Sequence, residues 1–501
     1  MYQTFKTIIK HTAIYSTSDL LAKAVGFFLL PIYTRYLSPA DYGILELLAV
    51  TLNIVIILVQ QGMHSSFFRA YSFDYKDKAE DQKSIVSTSY LYLLFSSFIF
   101  LGGISLFSRP INNLLFQSKD YTLLVRLTFL TGFFNTLSNI PFQLFRAKLQ
   151  SVKFSLVSIV RFSLNLFFNI YFILKLKLGL SGVIYGNLCT AVLISMLMLI
   201  LTWKQLSFKI SWLKLKGMLS YGLPLVPGAL SFWVLTVADR YLLERLSSTT
   251  ELGLYSLGIR FSGILEFLLI QPFLTTWPSI YFPLAKEKDA QATFSRLTTY
   301  FLLIGCFFSL GIIALSNPAI KVMADPQFWG AYKVIPLLVF STLLYGLFGI
   351  TIIGLFIQNK TKYNPLIIGI AAAFNVLLNF LLIPPYGMLG AAFSIFFSYL
   401  LMNLLAYLIN LRIYPLPYEW IRILKMVTVT ALVLFALNLV QVSSWKKELL
   451  FKMAVLLLFP LALWITGFFA PGELKKAKDL TLELFEKLGL RKAYRLIFNK
   501  R

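Results

Sequence analysis

The chain has 501 residues, of which 58% are apolar and 13% charged, with a mean hydropathy of +0.75 and a formal net charge of +25. Soluble domains carry about 25% charged residues, so an ordinary water-soluble enzyme is excluded, and the apolar content suffices for about fourteen helical crossings of about 20 residues each. The surplus of 46 Lys and Arg over 21 Asp and Glu would indicate a nucleic-acid partner in a soluble chain; here membrane topology explains it, and no nucleic acid is expected.

In chain order, apolar stretches separated by short polar breaks predict spans at 12–35, 43–66, 84–107, 123–145, 154–174, 180–203, 217–241, 252–282, 297–317, 331–357, 364–383, 388–411, 424–441 and 449–469. The start has basic residues but no short apolar core leading to a small-residue cleavage site, so no cleaved signal peptide is expected. From Glu473 onward, Leu474, Ala477, Leu484, Phe485 and Leu488 recur at helical spacing opposite Lys475, Lys476, Lys478 and Lys487. That pattern predicts a basic helix lying on the membrane surface. The expected class is an all-α integral membrane protein, divided as 1–210, 211–415, two further helices over 416–470 and a basic tail over 471–501.

Basic residues set the orientation, because cytoplasmic loops retain Lys and Arg. With a cytoplasmic N-terminus, and residues at span ends counted with the adjoining loop, the inner segments hold 30 of them and the outer loops 11. Both termini are therefore expected in the cytoplasm, on a basic face that attracts anionic lipids. Cys189 and Cys306 lie within apolar runs, and His11 and His64 at the edges of such runs, without ligand spacing. Neither a metal nor a cofactor is expected.

An internal repeat with a period near 210 residues is the most informative pattern. Arg35, Asp41 and Gly43 after the first span match Arg245, Glu251 and Gly253 after the seventh. Asn165, Asn169, Gly179 and Gly182 match Asn375, Asn379, Gly387 and Gly390. Three matches at a common spacing predict two six-helix lobes in the same orientation, related by a pseudo-two-fold axis along the membrane normal, with two helices appended. Such lobes can rock about a site at their interface. Gly222, Pro224, Pro227 and Gly228 in span 7 are the expected hinge, since proline removes a backbone donor and bends a helix. Span 8 carries Pro272, Pro278 and Pro283.

The stretch Pro31-Ile-Tyr-Thr-Arg35-Tyr-Leu-Ser-Pro39-Ala-Asp41-Tyr-Gly43 resembles the first-lobe signature of Wzx-type polysaccharide biosynthesis flippases, within the multidrug/oligosaccharidyl-lipid/polysaccharide exporter superfamily. Asn375-Val-Leu-Leu-Asn379 through Pro384-Pro-Tyr-Gly387-Met-Leu-Gly390 resembles the second-lobe signature. The resemblance implies transfer of an undecaprenyl pyrophosphate-linked oligosaccharide to the outer leaflet, driven by a proton or sodium gradient, with polysaccharide polymerase and chain-length proteins as partners. Fourteen spans also resemble the lipid II flippases, whereas the drug exporters of the superfamily usually have twelve. A drug/cation antiporter and a membrane polymerase or ligase are the alternatives. The latter is disfavoured by outer loops of about fifteen residues and by the lack of an acid, base or nucleophile constellation; no Walker-type loop is present either.

Ionisable groups within spans are costly and therefore candidates for function. Lys23 is about 17 Å deep in span 1 with Asp19 one turn below it; Arg161 is about 10 Å and Arg260 about 12 Å from the nearer span end. Lys23, Arg161 and Arg260 suit a pyrophosphate. Asp19 and Glu266 are expected to carry the coupling ion. Glu46 is read as too near the outer edge, and Arg126 and Arg240 as reaching lipid headgroups. The amides of Gln60, Gln61, Asn135, Asn139, Asn165 and Asn375 are expected either to meet sugar hydroxyls or to bond between helices.

Overall fold

A computed structural model describes residues 29–469 except 77, 117–119, 208 and 440–444. Every regular element among these residues is helical. The principal helices are α1 (Leu30–Tyr36), α2 (Pro39–Gln60), α3 (Ala79–Ser97), α4 (Thr122–Ala147), α5 (Ser151–Ile170), α6 (Gly179–Thr202), α7 (Val226–Leu246), α8 (Thr249–Leu265), α9 (Ala290–Met323), α10 (Ile335–Thr351), α11 (Tyr363–Tyr386), α12 (Met388–Ile413), α13 (Trp420–Leu439) and α14 (Trp445–Ile465). Among the described residues, twelve helices or helix pairs have the length and apolarity to cross a membrane. The other two expected spans are α4, long enough at 26 residues but interrupted by threonines and amides, and the first, of which only the part from residue 29 is described. Lys23, Asp19 and the basic tail lie outside the described residues.

The repeat is visible in local geometry. Ser38 caps α2: the Asp41 backbone N–H donates to its hydroxyl, and the Asp41 carboxylate accepts from the Ser38 N–H. Ser248, 210 residues on, caps α8 by accepting from the Glu251 N–H. Such caps satisfy donors that the first helical turn leaves unpaired. At the end of α4, Leu149 has a left-handed backbone and Gln150 N–H reaches back to Phe145 O; after α10, Asn359 has the same backbone and Lys360 N–H reaches Leu355 O. These are one helix-terminating motif placed twice at the same 210-residue offset.

The glycines of the repeat explain how α2 and α8 cross. A Cβ on Gly43 would overlap the Thr249 carbonyl oxygen, and a Cβ on Gly253 would overlap that of Pro39. Gly43 and Gly253 are repeat mates, as are Pro39 and Thr249, so the contact is symmetric about the crossing point. Close backbone approach through small residues is the packing mode available to helices in a bilayer. The asparagine pairs correspond as well. Asn169 Nδ2 donates to Asn165 Oδ1 at 3.3 Å and Asn379 Nδ2 to Asn375 Oδ1 at 3.0 Å.

Span 7 is broken where its prolines fall. The helix Trp212–Gly222 gives way to a single tight turn, Leu223–Leu225, before α7 begins at Val226. Gly222 packs against the left-handed turn Gln61–Gly62, where a Cβ on either Gly62 or Gly222 would meet the other's backbone. Span 8 is similarly interrupted by a wide turn at Glu266–Ile270 before the proline-bearing helix Gln271–Leu284.

Compactness groups the chain differently from the repeat. One unit comprises residues up to 286 with 319–415, and the second comprises 287–318 with the residues from 416 onward. Within the second unit, Glu448 of α14 accepts from Asn317 of α9 and pairs with Lys452, each at 2.7 Å, both charges buried. Ser295 donates to Pro417 O. These bonds give polar groups in an apolar setting the partners they require.

Candidate functional site

Within the first unit a cavity of about 610 Å³ is lined by α1, α2, α4, α5 and α6, with Arg260 contributed by α8. Its polar lining follows from helical spacing. Asn135, Asn139, Gln143 and Arg146 form one stripe on α4, and Ser158, Arg161 and Asn165 another on α5; residues three and four apart share a helix face.

Arg161 Nη2 donates to Asn135 Oδ1 at 3.1 Å and remains exposed. Behind it runs an amide chain. Tyr33 donates to Asn169 Oδ1 at 2.8 Å, Asn169 to the Asn165 carbonyl at 2.8 Å, and Asn165 to Asn187 Oδ1 at 2.9 Å. Three arginines, Arg146, Arg161 and Arg260, line the cavity against one carboxylate, Glu46. Arg146 lies over the Phe154 ring at 4.8 Å. Arg260, with 50% of its side chain exposed, is 3.7 Å from Glu46.

Glu46 corrects the sequence expectation, since it lines the cavity and holds two cations, Arg260 and Arg240 (3.0 Å). Arg240 likewise does not extend to a headgroup. It is 9% exposed and bonded to Glu46, to Asp239 at 3.1 Å and to the Thr236 carbonyl. Asp239, a carboxylate the sequence reading passed over, is 1% exposed and accepts from Tyr255. Burying such charges is tolerable only with full pairing. Arg126 donates to Ser108 Oγ at 2.9 Å.

Of the residues singled out from sequence, Arg161, Arg260, Asn135, Asn139 and Asn165 share this cavity. The others lie elsewhere. Gln60 ends α2, and Gln61 forms the left-handed turn, its side chain accepting from Tyr92. Asn375 is fully buried and bonded to Asn379. Glu266 accepts from Gln271 at 3.1 Å. Gly222, Pro224, Pro227 and Gly228 occupy the break in span 7 and the first turn of α7. Sequence reasoning missed Tyr33, Tyr42, Gln143, Arg146 and Asn187. The i, i+4 recurrence of polar residues along α4 was the available signal.

A family model described as polysaccharide biosynthesis protein matches residues 32–333. A Haemophilus influenzae protein of the Lsg locus is 22% identical over 367 residues, covering 71% of this chain and 86% of that one. Among solved structures, the lipid II flippase MurJ in an inward closed conformation superposes with a TM-score of 0.71 at 15% identity, covering 90% of this chain and 98% of that one. An inward-facing multidrug resistance transporter of the MATE family, MOP superfamily, superposes with a TM-score of 0.62 at 15% identity, covering 78% and 94%. Identities this low establish the shared fold alone, that of a multi-pass membrane protein. The family match spans more than half the sequence, and the chain belongs to the polysaccharide biosynthesis protein family.

Proposed function

We propose that this protein is a flippase that moves an undecaprenyl pyrophosphate-linked oligosaccharide from the cytoplasmic to the outer leaflet of a bacterial plasma membrane, by ion-coupled alternating access and without chemistry on the cargo. The observation that carries the reading is the cavity in which Arg161 and Arg260 remain accessible beside a run of amides. Arginine forks suit phosphate oxygens, and amides suit sugar hydroxyls. Lys23 is the third proposed cation for the pyrophosphate. The break at Gly222–Gly228 supplies the bend by which the lobes 1–210 and 211–415 rock, with both termini cytoplasmic. Asp19 and Glu266 are the proposed carriers of the coupling proton or sodium ion. The basic inner face would hold anionic lipids, and polymerase and chain-length proteins would receive the product.

The test is transfer of a lipid-linked oligosaccharide to the outer leaflet in reconstituted vesicles. Arg161→Ala and Arg260→Ala should each lower transfer by about 10- to 150-fold, since a charge-assisted pair contributes about 1.5–3 kcal/mol. Arg161→Lys and Arg260→Lys should retain part of the rate, keeping charge without the fork. Full transfer by both alanine variants at normal membrane abundance would exclude the anion-site reading.

A further inference from the structure

A second cavity, of about 490 Å³, lies in the same unit among Phe232, Trp277, Tyr281, Tyr345, Phe356 and Ile368, with no charged side chain in its lining. Its position is the informative point. The 210-residue register fixed by the Leu149 and Asn359 turns and by the two asparagine pairs makes Tyr345 the counterpart of Asn135, Gly349 of Asn139, and Phe356 of Arg146. Ile368 is likewise the counterpart of Ser158. All four pairs line their respective cavities. Arg161 corresponds to Ala371, which is fully buried. The same two-helix frame thus bounds both cavities, mostly polar and cationic in the first lobe and mostly aromatic and aliphatic in the second, where Asn364, the counterpart of Phe154, is the one amide in the lining.

We propose that the second-lobe cavity holds a stretch of the cargo's isoprenoid chain while the first-lobe cavity holds its charged headgroup. The proposal rests on the lipid-linked reading given above. An isoprenoid presents only apolar carbon and flat alkenes, which suit rings and branched aliphatics. A sugar would demand several hydrogen bonds along its length, whereas this lining offers one amide, Asn364, and two tyrosine hydroxyls among ten other residues, and Trp277 Nε1 is already committed to the Gly349 carbonyl at 3.1 Å. The volume falls within the 300–1,000 Å³ usual for a ligand site. Span 8 joins the two cavities, giving Arg260 to the first and Trp277 to the second about 25 Å further along its axis, a length that a long polyprenyl chain covers and a short one does not. The helix carrying Trp277 and Tyr281 also bears the exposed side chains Ile280 and Phe282, so apolar surface continues from the cavity to the outside of the protein.

The test compares binding of undecaprenyl pyrophosphate, geranyl pyrophosphate and a soluble oligosaccharide to the full-length protein in detergent. The double variant Tyr345→Asn/Ile368→Ser installs the first-lobe residues at their counterparts. It should weaken the long chain about 10-fold, by loss of apolar burial, and leave geranyl pyrophosphate unchanged. Arg161→Ala should weaken both. An unchanged long-chain affinity in the double variant, with Arg161→Ala still weakening both ligands, overturns the isoprenoid site and leaves the flippase reading standing. Unchanged affinities in both variants overturn both. A double variant that loses the soluble oligosaccharide instead marks a sugar site and refutes the proposal. Should the double variant fail to fold, a diazirine-bearing polyprenyl pyrophosphate decides on the unsubstituted protein, with labelling expected at Trp277 or Tyr281; labelling confined to other helices rejects the site.

Discussion

The α4–α5 pair and the α10–α11 pair are the same structure with different linings. The same left-handed turn precedes the second helix of each, directly after α4 and, beyond α10, after the short helix Ile353–Ile357, and each second helix carries an Asn pair four residues apart. Where they differ is the balance of the surface turned to the cavity: amides and arginines predominate on one pair, rings and aliphatics on the other, where Asn364 is the amide. A duplicated frame keeps what its backbone needs, since caps and helix stops satisfy donors and acceptors that have no alternative in an apolar solvent. Its cavity-facing side chains are free to diverge, because no backbone donor or acceptor depends on them.

The severest way to break the comparison is to exchange the residues at which the lobes differ most. Ala371→Arg should destabilise the protein by several kcal/mol, because its counterpart Arg161 is accessible while Ala371 is fully buried and a buried unpaired cation is not compensated. Arg161→Ala should fold normally. Monodispersity and thermal stability of the detergent-solubilised variants measure this, and equal stabilities would mean that the two positions are not environmentally distinct.

A smaller effect tests the symmetric crossing of α2 and α8. Gly43→Ala and Gly253→Ala should each cost about 1–3 kcal/mol by overpacking, because each new methyl meets a backbone carbonyl that cannot rotate away. Melting temperatures of the two variants should fall together; a drop in only one would show that the crossing is less symmetric than its geometry. The smallest effect concerns the caps. Ser38→Ala and Ser248→Ala should each lose about 1 kcal/mol. The loss should be greater at Ser38, where the reciprocal Asp41 bond goes with it, and amide exchange of the first turn reads it directly.

Much of this was legible in the sequence because it depends on periodicity. The spans, the repeat and the break in span 7 follow from apolar run lengths, common offsets and prolines. Arg161 and the Asn135–Asn139–Asn165 set are recognisable because polar residues in apolar helices stand out. The Glu46–Arg240–Asp239–Tyr255 network was not, since its members come from three helices and its bonds, α2 to α7 and α7 to α8, form only once those helices pack. Distance from a span's end misjudged Glu46 and Arg240 for the same reason: depth along one helix says nothing about what a neighbouring helix presents. The second cavity had no signal of its own, as an aromatic in an apolar span is unremarkable until its counterpart is known to be Asn or Arg.

Glu46 touches Arg240 on one side and Arg260 on the other, so the cavity supplies its own counter-ion to one of its arginines. The Arg240 bond, short and buried, anchors the carboxylate, while the longer 3.7 Å approach to the half-exposed Arg260 is the exchangeable side. A singly charged carboxylate balances one cation at a time, so Arg240 and Arg260 compete for Glu46 and the exposed one gives way first. Arg260 thus faces a carboxylate where Arg161 faces the neutral Asn135 amide, so an anion entering the cavity meets two differently balanced cations.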